Sequence, residues 1–152
     1  MGLKERLQGD LTEAIRSRDE LASGTIRMVL TAITNEEVSG KSARVLTDAE
    51  IITVLSREAK KRREAADAFK DAGRADRAEQ ETNEGKVITK YLPEQLSEDE
   101  VKKIIADAIA ETGASGPAGM GVVMKAIQPK VAGKADGGTV SGLVKAALTG
   151  GN

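Results

Sequence analysis

Apolar residues recur along this chain at three- and four-residue steps, with charged residues filling the positions between them. Leu3, Leu7, Leu11 and Ile15 fall every four residues, and Lys4, Glu5, Arg6, Asp10 and Arg16 occupy the remaining surface. That spacing predicts a first helix of about four turns. Asp19 is placed to cap a second helix, whose inward positions are Leu21 or Ala22, Ile26, Val29, Leu30 and Ile33. Gly24 weakens its first turns by roughly 1 kcal/mol relative to Ala. Val38 to Ser42 reads as a loop. Thr47 and Glu50 then form a capping box, in which the hydroxyl meets the Glu50 amide and the carboxylate reaches back. A third helix follows with Ile51, Ile52, Leu55, Ala59, Ala66 and Phe69 on one face. Arg62 falls in that same stripe, where it either runs its alkyl stem past the core or marks the departure of the partner helix. Gly73 can close this helix in a left-handed conformation. Asp76 to Lys90 reads as a fourth, very polar helix in which Gly85 is a weak point, and Tyr91-Leu92-Pro93 stops it.

Beyond Pro93 the pattern restarts. Ser97 and Glu100 make a second capping box, and Val101, Ile104, Ile105, Ala108 and Ile109 face inward. Thr112 to Gly119 is a glycine-rich connection. Met120, Val123, Met124, Ile127 and Val131 form one helical stripe, and Val140, Leu143, Val144, Ala147 and Leu148 form another. Pro129 cannot donate to the Lys125 carbonyl, so the first of these helices is expected to end or kink around Gln128. Thr139 is the expected N-cap of the second. The fold class is therefore all-α: a four-helix part over residues 1–92 and a small three-helix bundle over residues 93–152.

Composition narrows the chemistry. Phe69 and Tyr91 are the only aromatic residues, so both cores are aliphatic and few side chains can stack on a ligand. Histidine and cysteine are absent, which removes imidazole acid–base catalysis, thiolate nucleophiles, disulfides and sulfur metal sites. No apolar run approaches the roughly 20 residues that span a bilayer. The opening residues enter an amphipathic helix, and a soluble cytoplasmic protein without membrane contact is expected. Lys and Arg total 23 against 24 Asp and Glu, so nucleic-acid contact would have to come from a local patch. The run Lys60-Lys61-Arg62-Arg63 is not that patch, because the helical step spreads it around the axis among Glu58, Glu64 and Asp67.

Three phrases of the sequence resemble a known family. They are Gly73-Arg74 with Asp76, the run Tyr91-Leu92-Pro93-Glu94-Gln95-Leu96-Ser97, and Met120-Gly121 through Gly133-Lys134-Ala135-Asp136 to a Val-x-x-Leu-Val helix. Together they are similar to the GatB/YqeY family, over most of the chain. GatB is the tRNA-handling subunit of bacterial amidotransferases, and YqeY proteins are small relatives that resemble its tail. The chain departs from the family pattern at Gly119, where relatives often carry an Asp cap. It departs also at Val122 and Gly138, often Lys, and at Ser141, often Asn.

The resemblance implies a tRNA-contacting module and carries a label of glutamine-dependent carbon–nitrogen ligase. GatB's catalytic region has no counterpart here, and a shared fold does not transfer a reaction. The hydroxyls have no histidine to activate them. The carboxylates Glu98-Asp99-Glu100 and Glu79, Glu81 and Glu84 sit in a helix's first turn or on a polar face. Gly113 to Gly119 lacks the context of a phosphate-binding loop. A non-catalytic protein without cofactor or metal is expected, associating with tRNA through Lys125, Lys130, Lys134 and Lys145, with Gly133 allowing close backbone approach. From Gly113 onward these four lysines face one acid, Asp136, an excess of three positive charges. The alternatives are an accessory subunit of an amidotransferase, or a protein-interaction module that docks through the polar fourth helix.

Overall fold

The computed structural model describes residues 2–150. Seven α-helices and one short 3-10 turn account for the regular structure of those residues, and no strand occurs among them. They are α1 (Leu3–Arg16), α2 (Glu20–Glu37), α3 (Asp48–Asp71), α4 (Ala75–Thr89), α5 (Glu98–Thr112), α6 (Met120–Val131) and α7 (Gly137–Leu148), with the 3-10 turn at Pro117–Gly119 before α6. The chain divides into two compact units, one up to Leu92 and one from Pro93.

Caps set most boundaries. The Asp19 carboxylate accepts from the Ala22 amide at 3.0 Å and starts α2. Thr47 and Glu50 close a complete capping box on α3, and Ser97 and Glu100 close one on α5. Gly73, at φ +75°, turns the chain out of α3 where any L side chain would be strained.

In the first unit Leu7, Ile26, Val29, Ile33, Leu46, Ile51, Val54, Leu55, Ala59, Val87 and Ile88 form one core. Fully burying each large aliphatic side chain stabilises the fold by roughly 1.5–3 kcal/mol. The α1 stripe is shorter than expected: Leu7 is buried, Leu3 and Leu11 pack at the margin, and Ile15 is 50 % exposed while Ala14 is buried. A four-residue spacing drifts about 40° per step around a 3.6-residue helix, so its fourth member leaves the contact face. Lys4 joins the start of α1 to the end of α2, its ammonium donating to both carboxylate oxygens of Glu37 at 2.8 and 3.1 Å. Tyr91 packs back on α1, its hydroxyl donating to Asp10 Oδ2 at 2.5 Å and its ring lying 4.8 Å below the Arg6 guanidinium.

The polar fourth helix is continuous through Gly85, and α3 with α4 forms the most extensive helix pair. Arg62 explains why. Its Nη1 reaches Glu81 at 3.3 Å and Glu84 at 3.4 Å across the pair, and its Nη2 lies 4.0 Å from Glu58 on its own helix. A Cβ on Gly85 would meet Arg62 Cβ at 3.6 Å, so the glycine faces the Arg62 stem. Of the two roles open to Arg62, packing its stem at the helix pair while its head finds carboxylates is the one observed.

In the second unit Val101, Ile105, Ala108, Val123, Ile127, Val131, Val140, Val144 and Leu148 make a separate core, with Met120, Met124 and Leu143 at its margin. Two expectations are corrected. Of the two outcomes expected at Gln128, an end or a kink, the end does not occur: α6 runs through Pro129 to Val131. The proline lies in the last turn, so it removes one helical bond close to the helix end. The Ala132 amide still donates to Gln128, and the Lys134 and Ala135 amides both donate to Val131. The N-cap of α7 is Asp136, not Thr139: Asp136 Oδ2 accepts from both the Thr139 amide and its hydroxyl at 3.0 Å. Thr139 is the third helical residue, where it reinforces the cap.

Candidate nucleic-acid interface

The turn between α6 and α7 is where the sequence places its candidate contacts, and local chemistry builds it. Gly133 sits at φ +73°, a conformation that only glycine adopts without strain, and sends the chain from the end of α6 toward Asp136. The Asp136 carboxylate then accepts from the Thr139 amide in the first turn of α7. A phosphate at the start of α7 would compete with that carboxylate for the Thr139 amide and meet its negative charge, which favours lysine side chains as the contacts for an anion at this turn.

The turn is fixed from outside as well. Gln95 Nε2 donates to the Gly133 carbonyl at 2.9 Å and to the Pro93 carbonyl at 2.7 Å. The Leu96 amide donates to the Lys134 carbonyl at 2.8 Å. Two phrases that are distant in sequence, Pro93-Glu94-Gln95-Leu96 and Gly133-Lys134, are therefore one hydrogen-bonded element within the second unit. Gln95 and Asp136 are the residues that the sequence reading missed as builders of this turn. Composition gave no signal for Gln95, because its partner lies 38 residues away.

Around the turn the lysines differ in placement. Lys125, Lys130 and Lys145 are exposed, whereas Gly133 and Lys134 are half-buried. Lys130 lies in the last turn of α6, three residues before Gly133. Lys125 and Lys130 are five residues apart, about 140° around the helix axis, so α6 does not present both on one line. Lys145 lies in the last turn of α7, at the far end of that helix from Lys134.

The carboxylate groups fall into structural roles. Glu100 closes the α5 capping box, and hydrogen bonds from the Ser97 amide and hydroxyl hold its carboxyl below the ordinary range. Glu98 pairs with Lys102 at 3.3 Å one turn on. Glu81 and Glu84 are held by Arg62. Among the described residues no group of three or more His, Cys, Asp or Glu is arranged to hold a metal ion. No helix of the described residues is long and apolar enough to cross a membrane.

Fungal proteins are among the relatives of the chain. An uncharacterized protein of Schizosaccharomyces pombe is 31 % identical over 96 residues, covering 62 % of this chain and 76 % of the relative. A protein of Clavispora lusitaniae named altered inheritance of mitochondria protein 41, mitochondrial, is 32 % identical over 116 residues, covering 74 % of this chain and 66 % of the relative. A protein of the same name in Pyrenophora tritici-repentis is 28 % identical over 132 residues, covering 86 % and 71 %. The expected cytoplasmic location is corrected by these names, which are those of mitochondrial proteins. The opening residues could not decide the matter, since a helical start is compatible with either compartment. The family described as Yqey-like protein matches residues 4–148, which takes in both units nearly whole. The chain belongs to the YqeY-like protein family.

Proposed function

We propose that this YqeY-like chain is a non-catalytic, RNA-associated accessory protein whose second unit contacts the phosphate backbone of tRNA. The observation that carries the reading is charge segregation within that unit: four lysines against one acid from Gly113 onward, after an acidic stretch from Glu94 to Glu111. Lys125, Lys130 and Lys145 are exposed, and Lys134 rides on a turn held by Gln95 and Leu96. With so few aromatic side chains, recognition rests on phosphate position and shape and not on base stacking. The absence of histidine and cysteine, and the engagement of the clustered carboxylates in caps and ion pairs, favour binding over chemistry.

Fluorescence-labelled tRNA titrated with the full chain tests the proposal. At most four phosphate contacts give a dependence of log K on log salt with a slope no steeper than about −3 to −4. The variant with Lys125, Lys130, Lys134 and Lys145 changed to Glu should lose binding at low salt. A wild-type chain that ignores tRNA at low salt, or a variant that binds equally well, refutes the reading. A link to a glutamine-dependent amidotransferase rests on the GatB-like run from Met120 to Leu148. Co-purification with amidotransferase subunits would favour it.

A further inference from the structure

The second unit lacks the side chains that hold unpaired bases. Both aromatic residues, Phe69 and Tyr91, lie in the first unit, and the last arginine of the chain is Arg77. From Pro93 onward there is no ring and no guanidinium plane on which a splayed base could stack. Lysine charge and surface shape remain, and these are what base-paired RNA is recognised by.

The outer face of α6 has a shape that suits it. Val122, Ala126 and Pro129 follow an i, i+4, i+7 step and are all exposed, Val122 at 53 %. Counted from Val122, Pro129 lies about 20° to one side of it and Ala126 about 40° to the other. Lys125 stands about 60° away on the Pro129 side, and Lys130 about 80° away on the Ala126 side. The arc that parts the two lysines is therefore filled by an apolar ridge with a cation on each flank. No acid occurs in α6. Across the ridge the ammonium groups are separated by about the width of a helix, 10–12 Å.

Granted the RNA contact proposed above, on which this rests, we infer that α6 lies with this ridge in the minor groove of a base-paired RNA stem, Lys125 and Lys130 reaching phosphates of the two strands. The A-form minor groove is wide and shallow, so a helix rests across it while the 2′-hydroxyls keep their water. The B-DNA minor groove, about 6 Å wide, is too narrow for a helix. The deeper B-DNA major groove admits one, but Val122, Ala126 and Pro129 would cover its polar base edges and offer them no side-chain partner.

Fluorescence anisotropy with the full chain at about 0.1 M salt tests it. The probes are labelled tRNA, an RNA duplex of about 16 base pairs, one strand of that duplex, and the DNA duplex of the same sequence. The RNA duplex should bind roughly tenfold more tightly than the single strand or the DNA duplex, and a scrambled RNA duplex should bind equally well. Val122→Asp sets an anion between the lysines at an exposed position and should weaken duplex binding by at least about tenfold, with helical circular dichroism unchanged. Gly9→Asp makes the same change of net charge in the first unit, at an exposed helical glycine with open space around its Cβ position, and should leave binding in place. Binding of tRNA without preference for the RNA duplex over the single strand or the DNA duplex overturns this inference and leaves the RNA reading standing. Duplex binding that survives Val122→Asp unchanged does the same. A chain that binds none of the RNA probes ends both.

Discussion

Replacing Arg62 with Met should destabilise the first unit by about 3 kcal/mol, and the figure follows from what the side chain leaves behind. Arg62 is 19 % exposed, and the carboxylates around it are more buried still, Glu58 at 10 %, Glu81 at 13 % and Glu84 at 12 %. An exposed pair contributes about 0–1 kcal/mol, and breaking a buried one costs about 3–5 kcal/mol. Three mostly buried anions losing a shared cation belong near the lower end of the second range. Lys61 still reaches Glu58 at 2.9 Å and Gln80 still donates to Glu84 at 3.3 Å, which limits the loss. Met preserves the alkyl packing against α4, so the change isolates the charge. The assay is urea unfolding followed by tyrosine fluorescence. Tyr91 is the single tyrosine, tryptophan is absent, and Tyr91 packs in the first unit, so its emission reports that unit alone. With a slope of about 1.5 kcal/mol/M, the midpoint should fall by roughly 2 M. A second variant that also replaces Glu81 and Glu84 with Met should recover most of the loss, because it removes the stranded charges. A shift of Arg62→Met smaller than about 0.5 kcal/mol would refute the reasoning and place the cluster with ordinary surface pairs.

Other changes test other parts of the argument. Gly85→Ala should stabilise the first unit by about 0.5–1 kcal/mol, read by the same fluorescence midpoint, since the new methyl meets Arg62 Cβ at an ordinary 3.6 Å in a helix interior. Asp136→Ala removes the α7 cap and should cost the second unit about 1 kcal/mol. It should lower the circular dichroism midpoint and leave the Tyr91 transition in place. The carboxyls of Glu37, Glu50, Asp76 and Glu100 are all held below their ordinary values, by Lys4, Arg44, Arg74 and the Ser97 amide respectively. Their stabilisation is present above the unfolded carboxylate values of 4.5 and 3.8 and is lost as pH falls through the lowered ones. Urea midpoints should therefore decline below about pH 4.5, and Lys4→Met should flatten that decline in the first unit. A midpoint that rises on acidification contradicts the sign.

Much of the architecture can be read without coordinates because its causes are local. A threonine or serine three residues before a glutamate fixes the starts of α3 and α5, since cap and partner lie within one turn. Aliphatic residues at helical steps mark both cores. The errors were also local in kind. Pro129 stays inside α6 because it falls where few helical bonds remain to break. Asp136 outranks Thr139 as a cap because its carboxylate satisfies two donors of the same residue.

What the sequence could not supply is which distant groups meet. Arg62 could be seen to sit in an apolar stripe, but Glu81 and Glu84, 19 and 22 residues on, become its partners only when α4 packs along α3. Tyr91 finds Asp10 across 81 residues, and Gln95 finds Gly133 across 38. The sequence by itself determined the helices, their caps and the aliphatic character of both cores, since each depends on residues within a turn or two. Packing alone decided the ion cluster and the fastened Gly133–Lys134 turn, because each needs groups from separate stretches of the chain brought within a few ångströms.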